Sequence, residues 1–124
     1  MTAPDPRPPV WVGHVTLPTA DLPATHEFMK TLGLRGIAQG DGFAVLELRG
    51  GTHLVLLASE EPASGDCYFD LMVDDLAATH ARLCAAGLAP SEIQKGAIHS
   101  SFDIDSPSGH RIRFNSTHVS NLPV

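Results

Sequence analysis

This chain repeats itself, and that constrains its fold more than any other feature. Sliding the sequence by 54 residues lays Asp21–Leu34 (DLPATHEFMKTLGL) on Asp75–Leu88 (DLAATHARLCAAGL) without a gap, and seven of those fourteen positions are identical. Chance would give about one. The same shift lays His14 on Tyr68 and Leu17 on Leu71. Farther on, a shift of 58 lays Gly51-Thr52-His53-Leu54-Val55 on Gly109-His110-Arg111-Ile112-Arg113, so the second half carries a longer hairpin. Amphipathic helices resemble one another by composition, but composition does not supply a gapless shared D-L-x-A-T-H. Such a chain folds as two copies of one supersecondary unit, stacked so that neither is left with a bare apolar face.

The unit can be read element by element. Val12–Leu17 alternates and is rich in β-branched residues, which predicts a strand. Asp21 is placed as the N-cap of a helix whose apolar positions are Leu22, Phe28, Met29 and Leu32, and Gly33 stops it. Strand-like runs follow at about residues 35–39, 43–49 and 53–57, separated by the turns Gly40-Asp41-Gly42 and Gly50-Gly51. The fold class is therefore α+β, two tandem βαβββ units, one over about residues 10–60 and the other over about residues 66–118. Residues 1–9 hold four of the ten prolines and are expected to form a loose arm, with 119–124 as a tail.

Period-2 alternation assigns the sheet faces. Val15 and Leu17, Leu54 and Leu56, Phe69, Leu71 and Val73, and Ile112 and Phe114 are expected under the helices. The opposite faces carry Val12, His14, Thr16, His53, Val55, Leu57, Tyr68, Asp70, Met72, Arg111, Arg113 and Asn115, a mixture that suits a concave pocket better than a second dry core. For Arg113 the simplest partner is Asp70; the alternative is that Arg111 or Arg113 clamps an anionic group of a ligand through paired hydrogen bonds. His26 and His80 are repeat-equivalent helix residues, expected at the surface or between helix and sheet.

Composition removes several classes. The net charge is −6, with 8 basic residues against 14 acidic and no basic cluster, which argues against a nucleic-acid partner. No apolar run reaches the roughly 18–20 residues of a membrane span, and no secretory pattern opens the chain, so a cytoplasmic protein is expected, with Cys67 and Cys84 reduced. Neither a phosphate-binding loop nor a nucleophile elbow is present.

Several stretches carry a resemblance: His14-Val15-Thr16-Leu17-Pro18-Thr19-Ala20-Asp21-Leu22, Leu32-Gly33-Leu34, Phe69-Asp70-Leu71-Met72-Val73-Asp74-Asp75-Leu76, Ala85-Ala86-Gly87-Leu88 and Ser106-Pro107-Ser108-Gly109-His110-Arg111-Ile112. Together, over nearly the whole chain, they resemble the vicinal oxygen chelate superfamily, which contains glyoxalase I, bleomycin-resistance proteins, fosfomycin-resistance enzymes and extradiol dioxygenases. The resemblance implies mixed sheets curving around a pocket, and pairing as a homodimer. It also implies four metal-ligand positions, which fall here on His14, Val55, Tyr68 and Arg113. Only His14 is a ligand type suited to a divalent ion, and Arg113 would repel one. A metal-independent binder of a small, anionic or aromatic ligand is therefore expected, with His14, Thr16, His53, Val55, Tyr68, Asp70, Arg111 and Arg113 as its site and no cofactor. The alternative is a glyoxalase-like lyase or dioxygenase in which His14 and His53, with His99 or Asp103, hold zinc, nickel, iron or manganese. A metal-free enzyme using Tyr68 and His14 as an acid–base pair is the third reading.

Overall fold

A computed structural model describes residues 3–61 and 65–124; the first two residues of the proline-rich arm and the link 62–64 lie outside the described residues. The strands and helices run β1 (His14–Thr19), α1 (Leu22–Leu32), β2 (Arg35–Gly40), β3 (Phe43–Glu47), β4 (His53–Ala58), β5 (Leu71–Val73), α2 (Leu76–Ala85), β6 (Gln94–Lys95), β7 (Ser100–Asp105) and β8 (Arg111–Ser116). Two four-stranded mixed sheets result, ordered β1-β4-β3-β2 and β5-β8-β7-β6, so the repeat is realised as two βαβββ units. In each unit the first strand, at one edge of the sheet, pairs in parallel with the last, and the helix and the two middle strands form the crossover between them.

The repeated letters do the same physical work twice. The Asp21 carboxylate accepts from the Ala24 N–H at 3.1 Å, and the Asp75 carboxylate accepts from Ala78 N–H at 2.9 Å. Each satisfies a donor that the first helical turn leaves open. At the other end the Leu34 N–H donates to the Met29 carbonyl and the Leu88 N–H to Leu83, around Gly33 and Gly87 at φ of +122° and +86°. Met29 and Leu83, equivalent under the 54-residue shift, are both buried. The equivalence stops at the histidines. His26 is buried with Nε2 turned toward Gly36 of β2 and finds no hydrogen-bond partner among the described residues. His80 instead reaches the Ser91 carbonyl.

Both units bury their helix-side faces in one core. Leu17, Leu46, Leu54 and Leu56 of unit one belong to the same cluster as Leu71, Leu83, Ile112 and Phe114 of unit two. Polar stitches cross the seam. The hydroxyl of Ser108, in the β7–β8 turn, bonds to Thr19 and, at 3.0 Å, to Thr25 at the start of α1. Arg82 of α2 donates to the carbonyls of Thr31 and Leu32 at the end of α1, and Arg49 pairs with Asp74 at 2.8 Å.

Next to that seam His110 is buried. Its Nδ1 lies 3.1 Å from Ser106 Oγ, which also accepts from the His110 N–H, and the ring is hydrogen-bonded to the Pro18 carbonyl. Burial lowers the imidazole's proton affinity, and the Pro18 bond offsets this only in part. Below about pH 6.5 the unfolded chain therefore binds this proton more readily than the folded one, and folding stability drops as pH falls from about 7 toward 5. Urea midpoints across that range are expected to decline in the wild type and to flatten in His110→Gln. An equal slope in both would show that His110 is not the group responsible.

One strand expectation needs correction. Unit two was expected to open with a strand from Tyr68, but β5 starts at Leu71. The reason is a register defect. Asp66 bridges Arg111 and Leu71 pairs with Phe114, so five steps on one strand (66 to 71) face three on the other (111 to 114). The two surplus residues push the chain out of the sheet, and Tyr68 stands fully exposed. Asn115 alternates with buried Phe114 and so shares the face of Arg113 as expected, but it is 8% exposed because it bonds to the Asp70 carboxylate.

Candidate functional site

Alternation leaves each sheet one face that no helix covers. On unit one, β1 and β4 bring His14 beside His53 and Thr16 beside Val55 by direct register. The two imidazoles lie 5.7 Å apart, centroid to centroid. Glu47 on β3, directly across from His53, receives a hydrogen bond from His53 Nε2 at 2.9 Å and one from Arg35. Those two donors hold the Glu47 carboxyl below the usual carboxylate range, Arg35 being the stronger cause. Around them Ile37, Phe43 and Leu57 are exposed on the same sheet.

On unit two the remaining expected site residues converge. Tyr68, Asp70, Arg111 and Arg113 line a cavity of about 270 Å³ together with Asp66, Cys67, Phe69 and Asp103. The bulge that displaces Tyr68 is what opens this space, because the segment from Asp66 to Asp70 leaves the sheet and returns to it. Its lining contains no residue of unit one, so His14, Thr16, His53 and Val55 do not share it.

The partner expected for Arg113 was Asp70, and that is corrected. Asp103, opposite Arg113 in the antiparallel β7–β8 register, accepts from Nε at 2.9 Å and from the guanidinium fork at 3.3 Å. Asp103 raises the Arg113 proton affinity further, so it stays a fixed cation. Arg111 lies 3.5 Å from Asp105, the next pair along the same two strands. Both pairs are solvent-accessible, so they orient the guanidinium groups more than they stabilise the fold. Asp103 appeared in the sequence reading only as a metal donor. The signal that could have found its true role was the D-x-D and R-x-R alternation on adjacent strands.

The residues do not fit a resident metal ion within one chain. Val55 offers no donor, Arg113 is cationic, and His53 Nε2 is committed to Glu47. Among the described residues no group of three or more His, Cys, Asp or Glu is gathered as a ligand set. His99, a reserve donor in the sequence reading, bonds through Nδ1 to the Ser116 carbonyl and packs edge-on against His118. Cys67 is half-buried, and burial pushes its thiol upward, away from the thiolate form. No helix is long and apolar enough to cross a membrane among the described residues.

Neither known family models nor curated proteins match the sequence. Solved structures do. Lactoylglutathione lyase from Agrobacterium tumefaciens superposes with a TM-score of 0.73 at 19% identity, covering 89% of this chain and 96% of that one. TnmS3, an antibiotic-binding protein from Streptomyces sp. CB03234, gives 0.73 at 22% identity over 88% of this chain and 97% of its own. A bleomycin-binding protein complexed with bleomycin gives 0.64 at 20% identity over 88% and 99%. With its paired βαβββ units, parallel outer-to-inner strand pairing and uncovered sheet faces, the chain has the glyoxalase/bleomycin-resistance fold.

Proposed function

We propose that this protein holds a small molecule without a metal ion, as a homodimer in which the open face of unit one on one chain covers the cavity of unit two on its partner. The observation that carries this reading is the donor set: of His14, Val55, Tyr68 and Arg113, one is a fit ligand for a divalent ion, while the cavity offers aromatic and hydrogen-bonding groups. Two of the similar solved structures are named as antibiotic-binding and bleomycin-binding proteins, a task that needs shape and hydrogen bonds but no nucleophile. An aromatic ligand would lie against Tyr68 and Phe69. An anionic one would take over Arg113 from Asp103, at the cost of that ion pair. Pairing accounts for the exposed Ile37, Phe43 and Leu57 on one face and Met72 on the other, and it would bring His14 and His53 to the same ligand.

One observation favours a second reading, a metal-dependent lyase or dioxygenase. Glu47 orients His53 as carboxylates orient metal-bound histidines, and His14 stands beside it. One titration separates the two. Chelator-treated protein is expected to melt at an unchanged temperature with zinc, nickel, iron(II) or manganese. Small aromatic or anionic compounds are expected to raise the melting point in the presence of chelator. A ligand at a hundredfold excess over its Kd would add about 2.7 kcal/mol. Stoichiometric stabilisation by one ion, lost in His14→Ala, would overturn the metal-free reading. A sedimentation mass of one chain would overturn the dimer.

A further inference from the structure

We propose that Cys84 is a reactive thiol, set up for thiol–disulfide exchange by His80 and the Ser91 carbonyl, outside the cavity of unit two. Cys84 is exposed in the last turn of α2, and His80 lies one turn earlier, so the two side chains share a helix face. Cys84 Sγ is 3.8 Å from His80 Nδ1, and His80 Nε2 is 2.8 Å from the Ser91 carbonyl oxygen. A carbonyl only accepts, so Nε2 must carry the hydrogen, and in the neutral ring Nδ1 presents its lone pair to the thiol. The ring is steadied by edge-to-face packing on Phe102, 5.1 Å away at 87°.

Ser91 is itself held from both sides. Its N–H donates to the Asp103 carbonyl and its Oγ accepts from the Asp103 N–H, each at 2.8 Å. Nucleophile, base and a rigid group that orients the base are thus all present, the arrangement that activates a thiol. Proton transfer from Sγ to the facing Nδ1 supplies the nucleophile. Nothing comparable serves Cys67, which is half-buried and held toward the thiol form.

The step balances as follows. The Sγ proton passes to Nδ1, and Sγ attacks one sulfur of a low-molecular-weight disulfide. The Cys84 Sγ–S bond forms as the disulfide's own S–S bond breaks, and the departing thiolate takes the proton from the imidazolium. Cys84 is oxidised by the disulfide, whose second half leaves reduced.

The test uses the full chain at pH 7 with 5,5′-dithiobis(2-nitrobenzoate), following the released thiolate by absorbance and the labelled residue by peptide mass spectrometry. Cys84 is expected to be labelled first, and His80→Gln, which still can donate to Ser91 but cannot accept a proton, is expected to slow it about tenfold. If His80 only packs the helix, the variant will label Cys84 at the same rate or faster, and the proposal fails. A second comparison does not depend on the variant's folding: Cys84 in the native protein is expected to react faster than in the urea-unfolded chain. A native rate equal to or below the unfolded one, or first labelling at Cys67, also overturns it.

Discussion

Phe114→Ala is expected to destabilise the protein by about 3–5 kcal/mol and to lower its melting temperature by roughly 10–20 °C. Phe114 is 1% exposed, and its ring is stacked on Phe102 with centroids 4.9 Å apart and planes 8° from parallel. It faces Leu71 in the parallel pair that anchors β5 to β8. Truncation removes the transfer free energy of an aromatic side chain and leaves a cavity that its neighbours on β5 and β7 cannot close. Phe114→Leu keeps most of the volume and is expected to cost far less. The consequence extends past unit two. Leu54 and Leu56 of unit one belong to the same buried cluster, so the whole chain should melt in one transition at the lower temperature. Calorimetry is the check. A second transition left at the wild-type temperature would mean that unit one folds independently of its repeat.

Arg82→Ala is expected to cost about 2 kcal/mol, far more than an exposed arginine usually contributes. Its Nη1 and Nη2 each lie 2.8 Å from a carbonyl oxygen at the end of α1, Thr31 and Leu32 respectively. Those carbonyls have no intrahelical partner, and the negative end of the helix dipole favours a cation there. One guanidinium thus caps the helix of one unit from the helix of the other. Lysine presents a single ammonium group and cannot reach both oxygens in the same way, so Arg82→Lys is expected to recover only part of the loss. Urea unfolding would settle it: an alanine variant within a few tenths of a kcal/mol of wild type would mean that the seam rests on apolar packing alone.

Much of the fold was legible because the information is local. The caps at Asp21 and Asp75 and the stops at Gly33 and Gly87 are read within one turn of helix. The buried Leu54, Leu56, Ile112 and Phe114 follow from a period of two along a single strand. The site was legible only as a set of faces. Tyr68, Asp70, Arg111 and Arg113 do line one cavity, but the sequence reading joined them to His14, which belongs to a sheet whose residues do not enter it.

What the amino-acid order determined by itself, then, was the repeat, the two βαβββ units and the residues each strand turns toward its helix. Those depend on backbone geometry and hydrophobic spacing along the chain, and both copies carry them. Tertiary structure alone decided who pairs with whom. Arg113 meets Asp103 and not Asp70 because the β7–β8 register puts Asp103 opposite it, while the two surplus residues before β5 leave Asp70 at the bulge, bonded to Asn115. Alternation says which face a side chain occupies. Register between strands far apart in the chain is set by connection lengths and by the closing of a shared core, and no single stretch of sequence contains it.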